Sequence, residues 1–329
     1  MKVLVTGADG VLGSNLVREL LERDHEVSVL LLEGTTSKTL DGLNIERHFG
    51  NILNPKDLDD SFKGQDAVIH CAASTSVYPA RDSFVNKVNI EGTENVITAV
   101  KQHNIGRLVY VGTANSFGNG TTVDKPGDEN NQYTSHVYGL DYMDSKRKAQ
   151  EILLEAVKTD NVPAIIVNPT FMIGPYDSKP SSGAMILAIY NGKVPGYTNG
   201  GKNYVAVKDA AVAVANALTM GRVGECYILG NENLTYKHAF EKIAVTIGAK
   251  APTRKLSDFM VKAYGSINSF LAKVFRFKPS VTKELATISC DHHYYSAEKA
   301  RKELKLPSTP VEVAIKECYD WFRENKYLN

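Results

Sequence analysis

No stretch of the 329 residues approaches the ~18 consecutive apolar side chains that a membrane span requires. Only a five-residue apolar strand precedes Gly7, so the start does not read as a signal peptide. Cysteine is sparse and scattered. Cys71, Cys226, Cys290 and Cys318 include no Cys-x-x-Cys pair, which disfavours a disulfide framework and fits reduced thiols in a cytoplasmic protein. A surplus of either charge is missing as well: 38 basic and 37 acidic residues, interspersed, argue against a nucleic-acid partner. Repeats and low-complexity segments are absent. His292 and His293 are adjacent and cannot share a helical face as metal ligands would; they read as structural, and no metal site is expected. With 43% hydrophobic and 23% charged residues, the composition is that of a globule with ample size for a core, in one large or two modest domains.

The first motif is a strand, Lys2 to Thr6, followed by Gly7-Ala8-Asp9-Gly10-Val11-Leu12-Gly13 and a helical pattern through Leu16, Leu20 and Leu21. Glycines in that order permit a tight turn and a close backbone approach to a pyrophosphate, which the free N–H groups of a helix N-terminus would bind. The next strand, Val27 to Leu32, ends at Glu33, twenty residues after Gly13. A carboxylate there would hold the adenosine ribose hydroxyls, so the reading leans to NAD(H) and leaves NADP(H) open.

Strands at Ile45–Phe49, Ala67–Cys71, Arg107–Val111 and Ala164–Val167 alternate with helices at Pro55–Phe62, Asp82–His103 and from Tyr142 onward. Such alternation predicts an α/β fold, a parallel sheet with helices on both faces, whose ligands lie beyond the carboxyl ends of the strands. Thr113 lies at one such end. Tyr142 and Lys146 are four apart and stack on one helical face. Lowering a tyrosine from pKa ~10 by about three units needs about 4 kcal/mol, roughly what a cation ~4 Å away supplies at an effective dielectric near 20. Tyr142 thus becomes a candidate acid/base, with Thr113 orienting the substrate oxygen. Two further Tyr-x-x-x-Lys matches carry less weight. Tyr204 to Lys208 lies in a strand-like run, and Tyr295 lies far along the chain from any phosphate-binding feature.

Past Pro169 a turn-rich loop spans Gly174 to Gly183, and helices are expected near 184–191, 209–220 and 235–247, with a buried strand at Cys226–Leu229. Asp209 is expected to cap its helix. Residues 257–276 form an amphipathic, basic helix; a lid or wall over an apolar pocket is expected, with peripheral membrane contact as the alternative. Trp321 in the last helix reads as a packing residue.

Thr6-Gly-Ala-Asp-Gly-Val-Leu-Gly13, Thr113 and Tyr142-x-x-Ser-Lys146, in this order, closely resemble the extended short-chain dehydrogenase/reductases over nearly the whole length. Gly50-Asn51-Ile52, His70-Cys71-Ala72-Ala73, Val88-Asn89-Ile-Glu-Gly92 and Asn168-Pro169-Thr170 are similar to further pieces of that family. Gly174-Pro-x-Asp177, Gly230-Asn-Glu-Asn-Leu-Thr235 and Tyr295-Ser-Ala-Glu-Lys-Ala300 resemble its dihydroflavonol-reductase-like and hopanoid-associated sugar-epimerase-like branch. The resemblance implies a Rossmann doubly wound domain over 1–170, with return segments near 204–230. A smaller, mostly helical substrate domain would come from 171–203 and 231–329. It further implies that Asn51 and Ile52 flank the adenine and that Cys71, Ala72 and Ala73, with Pro169 and Thr170, line the nicotinamide side. Lys146 would bind the ribose, and Asn89 would support a proton relay or the active-site backbone.

Three departures bear on function. Ala114 and Asn115 stand where sugar-nucleotide dehydratases carry Asp-Glu, Asn168 replaces the usual Arg, and Leu31 and Leu32 supply neither usual cofactor-choosing side chain. The expected activity is reversible reduction of a ketone or aldehyde, or oxidation of a secondary alcohol, on a partly apolar small molecule. The alternatives are a sugar-nucleotide epimerase with retained cofactor and a non-catalytic redox sensor. The resemblance also makes a homodimer plausible.

Overall fold

The computed structural model describes residues 1–328. Six strands, β1 (Lys2–Thr6), β2 (Glu26–Leu31), β3 (Glu46–Phe49), β4 (Ala67–His70), β5 (Arg107–Val111) and β6 (Ala164–Pro169), join β9 (Cys226–Leu229) in one parallel sheet. The order is β3-β2-β1-β4-β5-β6-β9, so the winding reverses between β1 and β4. Alternate side chains leave opposite faces of a strand. Val3 and Val5 therefore pack with Leu12, Leu16 and Leu20 of α1 (Val11–Glu22) and Val214 of α7 (Val207–Asn216). Leu4, from the same strand, packs with Leu58 and Phe62 of α2 (Pro55–Phe62), Val96 and Val100 of α4 (Gly92–Gln102), and Leu153 of α5 (Asp141–Asp160). Coverage on both faces explains why these strands read as apolar runs.

The helix expected from Asp82 does begin there, with the Asp82 carboxylate accepting from the Phe84 N–H, 2.9 Å. It is not uniform, however. A short α3 (Ser83–Asn86) passes through a π-turn at Lys87–Glu91 before α4. The local sequence does not signal this extra residue.

Residues beyond β6 build a third apolar cluster around Ile173, Ile186, Tyr204, Phe240, Ile243, Ile315 and Phe322. It contains helices α6 (Ala184–Tyr190), α8 (Tyr236–Ile247) and α12 (Val311–Glu324). A small sheet also forms here from β7 (Phe171–Ile173), β8 (Gly201–Ala206), β10 (Glu232–Thr235) and β11 (His292–His293), where mainly helix was expected. Its strands are short and pair across long gaps, His293 with Lys202 and Phe171 with Tyr204; only β8 was foreshadowed, by the strand-like run around Tyr204.

Two expectations are corrected. Asp209 does not cap its own helix; its carboxylate accepts from the backbone N–H and the hydroxyl of Thr309, both 2.7 Å, and so ties α7 to the C-terminal segment. The amphipathic helix is present as α9 (Asp258–Phe275), but it is not a wall of the pocket described below. Its buried positions are the small ones, Gly265 and Ala272, and it rests on α10 (Lys283–Ile288). A Cβ on Gly265 would come within 2.5 Å of the Ala286 side chain. Close packing through small residues turns the large apolar side chains outward.

Candidate active site

The carboxyl ends of β1, β4, β5 and β6 carry Gly7, Cys71, Gly112–Thr113 and Thr170, all along one edge of the sheet. Gly7 takes a left-handed φ of +69°, and a Cβ there would lie 2.6 Å from the Ala72 nitrogen. Gly13 packs as tightly: a Cβ would meet the Gly7 carbonyl oxygen at 2.3 Å. Between them Gly10 is exposed and begins α1 with no side-chain cap. The first N–H groups of that helix are thus left to an anion, in a crevice whose floor is backbone. Thr6 fixes the opposite side. Its hydroxyl meets His70 Nδ1 at 2.7 Å and accepts from the Ala72 N–H at 3.2 Å. These features fit the pyrophosphate of a dinucleotide.

The other expected cofactor contacts differ in their exposure. Leu12 and Ile52 are buried, Val11 is partly buried, and Asn51 is exposed. The Asn51 side-chain oxygen accepts from the Leu53 N–H, 2.9 Å, while Ile52 packs against Gly92. Cys71 is half-buried, and desolvation pushes its thiol up to about 12, which disfavours a nucleophilic role. Glu33 lies past the end of β2, exposed, with no ion pair among the described residues. Its carboxylate therefore gives no geometric reason to choose NAD over NADP. Sequence reasoning missed Lys179, whose ammonium approaches the Asp9 carboxylate at 3.6 Å from the Gly174–Gly183 loop. That loop is tied to α1 by Asn15, which donates to the Pro175 carbonyl, 3.0 Å.

Tyr142, Thr113, Pro169 and Thr170 line one cavity of ≈ 240 Å³. The Thr113 oxygen accepts from the Asn115 N–H at 3.3 Å, which leaves its own proton to donate. Lys146 is buried behind them. Its ammonium donates to the Val111 carbonyl, 2.7 Å, and stands 4.3 Å from the centre of the Tyr110 ring. Burial lowers its pKa to about 8, and the neighbouring Tyr142 pulls it back up. Asn89, in the π-turn, does not line the cavity. It accepts from the Ser74 N–H (2.8 Å) and donates to the Ser74 carbonyl (3.0 Å) and the Ser145 hydroxyl (2.9 Å). It thereby clamps the loop after β4 to the helix of Tyr142, which is the geometry of a positioning residue. Asn168 similarly donates to the Thr113 carbonyl, 3.1 Å, and to Gln150, 2.8 Å.

Val77, Leu140, Met143, Phe171, Leu285 and Ile288 make much of the remaining wall apolar. Asn115, Asn203, Lys202, His293 and Tyr295 add polar groups to it. Sequence reasoning set aside His293 as structural and Tyr295 as remote. The chain returns them through β11, and no local pattern could have said so. Tyr204, by contrast, is buried in β8, and its nominal partner Lys208 pairs with Glu317 at 2.7 Å.

An anion cradle and a tyrosine–lysine pair on one edge of a doubly wound sheet mark Rossmann-type dehydrogenases, and comparison with known proteins agrees. Residues 3–230 match the NAD dependent epimerase/dehydratase family. A Synechocystis sp. (strain ATCC 27184 / PCC 6803 / Kazusa) protein, provisionally named a dihydroflavonol 4-reductase, is 30% identical over 98% of this chain and 95% of its own. The 2-alkyl-3-oxoalkanoate reductase of Stenotrophomonas maltophilia (strain K279a) is 28% identical over 96% and 98%. The crystal structure of gox2253 superposes with a TM-score of 0.87 at 32% identity, covering 99% of each chain. The chain belongs to this family, the extended short-chain dehydrogenase/reductases, and is an NAD(P)-dependent enzyme.

Proposed function

We propose that the chain is a carbonyl reductase, reversible as an alcohol dehydrogenase, acting on a small and partly apolar substrate. The observation that carries this reading is that Thr113 and Tyr142 face one small cavity, with the buried ammonium of Lys146 behind them. A nicotinamide dinucleotide, its pyrophosphate held in the crevice of Gly7, Asp9, Gly10 and Gly13, would supply the hydride. Thr113 donates a hydrogen bond to the substrate oxygen and holds it against Tyr142. Tyr142 gives that oxygen its proton as the carbon accepts hydride, so that the ketone and reduced cofactor become the alcohol and oxidised cofactor. Lys146 stabilises the phenolate left behind. Residues 171–203 and 231–328 supply the far wall and serve as the substrate-binding part.

Two relatives matching over nearly the whole chain, named a dihydroflavonol 4-reductase and an oxoalkanoate reductase, support a reductase. An epimerase acting on nucleotide sugars fits less well. A cavity of ≈ 240 Å³ lies below the range usual for drug-sized ligands, and its wall is largely apolar. The decisive experiment titrates NADH and NADPH and then screens ketones, aldehydes and nucleotide sugars with wild type and Tyr142→Phe. A reductase consumes added reduced cofactor and loses that activity in the variant. Interconversion of sugars without net reduction would favour the epimerase, and an unaltered Tyr142→Phe protein would favour a redox sensor.

A further inference from the structure

Among the described residues, Lys202 is the only charged side chain on the cavity wall, and no carboxylate lines it. Among the described residues it has no ion pair; its ammonium lies 4.6 Å from the centre of the Phe171 ring. On the same wall Tyr295 is 3% exposed, and its hydroxyl, also buried, has no partner among the described residues. His293, paired with Lys202 across β8 and β11, is held neutral with a pKa lowered to about 4 by burial and the Lys202 charge. Asn203 cannot serve, because it is already saturated by Thr170, Asn231, Asn233 and the Tyr295 carbonyl. A cation without an ion pair and a hydroxyl without a partner, among the described residues, therefore share a cavity wall that is in large part apolar. Unpaired buried polar groups of this kind are costly unless a ligand matches them.

We propose that Lys202 and the Tyr295 hydroxyl receive a carboxylate of the substrate, so that the enzyme acts on oxo acids and their hydroxy-acid partners. This rests on the reductase reading and adds the substrate class to it. The small cavity puts the carboxylate only a few bonds from the carbon addressed by Thr113 and Tyr142, and the apolar side chains take the rest of the molecule.

The test compares a medium-chain 3-oxo acid with its methyl ester, in wild type, Lys202→Met and Tyr142→Phe. Lys202→Met should lower kcat/KM for the acid about 100-fold, the range of a lost charge-assisted hydrogen bond, and leave the ester within a few-fold. Equal effects on acid and ester overturn the subsite. If Tyr142→Phe still abolishes reduction of both, the reductase reading survives that result. Binding is read separately, from the thermal shift of cofactor-loaded protein with decanoate or UDP-glucose. A decanoate shift that wild type shows and Lys202→Met lacks supports the proposal even without turnover. An equal decanoate shift in both proteins, or a loss confined to UDP-glucose, overturns it.

A separate observation concerns the outer face of α9. Phe259, Met260, Tyr264, Ile267, Phe270 and Val274 are all more than half exposed, and Phe275 and Phe277 continue the patch. Seven basic and two acidic residues lie between positions 254 and 284, in a chain whose net charge is +1. An apolar stripe with cations around it complements an anionic lipid surface, and no helix among the described residues is long and apolar enough to cross one. We infer that α9 lies on such a surface. The protein should float with vesicles containing phosphatidylglycerol and not with phosphatidylcholine alone. Ile267→Glu with Phe270→Glu should abolish flotation and leave reduction of a soluble substrate unchanged. Absence of flotation overturns the inference, as does a dimer that these substitutions dissociate, since the face would then belong to a second copy.

Discussion

The crevice beside the glycine turn and the far wall of the cavity are built in opposite ways. The crevice is made of contiguous backbone, from Gly7 to Gly13, pinned by Thr6 and Ala72. The far wall is made of single side chains from separate elements: Phe171 from β7, Lys202 from β8, Leu285 and Ile288 from α10, His293 from β11, and Tyr295 just beyond it. The first can be inherited as a motif because its chemistry is that of the main chain. The second can be altered one side chain at a time without touching the first. Cofactor affinity and turnover should thus depend on one region, and the choice of substrate on the other.

The sharpest way to break this comparison is Tyr142→Phe, expected to lower kcat about 10³-fold while leaving dinucleotide binding intact, as read by cofactor fluorescence titration. Lys146→Met should cost about 10²-fold and also change the pH profile. Burial has lowered the Lys146 pKa to about 8, so its charge is present below that pH and lost above it. Reductase kcat/KM should therefore fall as pH rises through about 8 in wild type and lose that limb in Lys146→Met. Gly13→Ala should weaken the cofactor complex or the fold, seen as a raised dissociation constant or a lower Tm, since its Cβ would meet the Gly7 carbonyl at 2.3 Å. Ile288→Ala should raise KM for apolar ketones several-fold, with little change in kcat, if the far wall only selects. The smallest effect belongs to Glu33→Gln: an exposed carboxylate without a partner should shift the NADH-to-NADPH preference by less than about twofold.

The sheet was legible in the sequence because each strand carries its own apolar run and each helix its own period, and the order of the motifs then placed Thr113, Tyr142 and Lys146 on one edge. The far wall was not legible. His293 reaches Lys202 across some ninety residues, through a two-residue strand with no pattern to detect. The outward turn of α9 stood only as the alternative expectation, for a different reason. Its apolar residues have the spacing of a packed helix, and only the contact of Gly265 with Ala286 reveals that the small side is the one held.

The π-turn at Lys87–Glu91 puts one residue too many into an otherwise regular helix, and Asn89 sits inside it. Removing a single residue from that segment would let the helix close into an unbroken spiral, rotating Asn89 by about a hundred degrees away from Ser74 and Ser145. The three hydrogen bonds that fasten the loop after β4 to α5 would go with it, so one inserted residue is what joins these two segments.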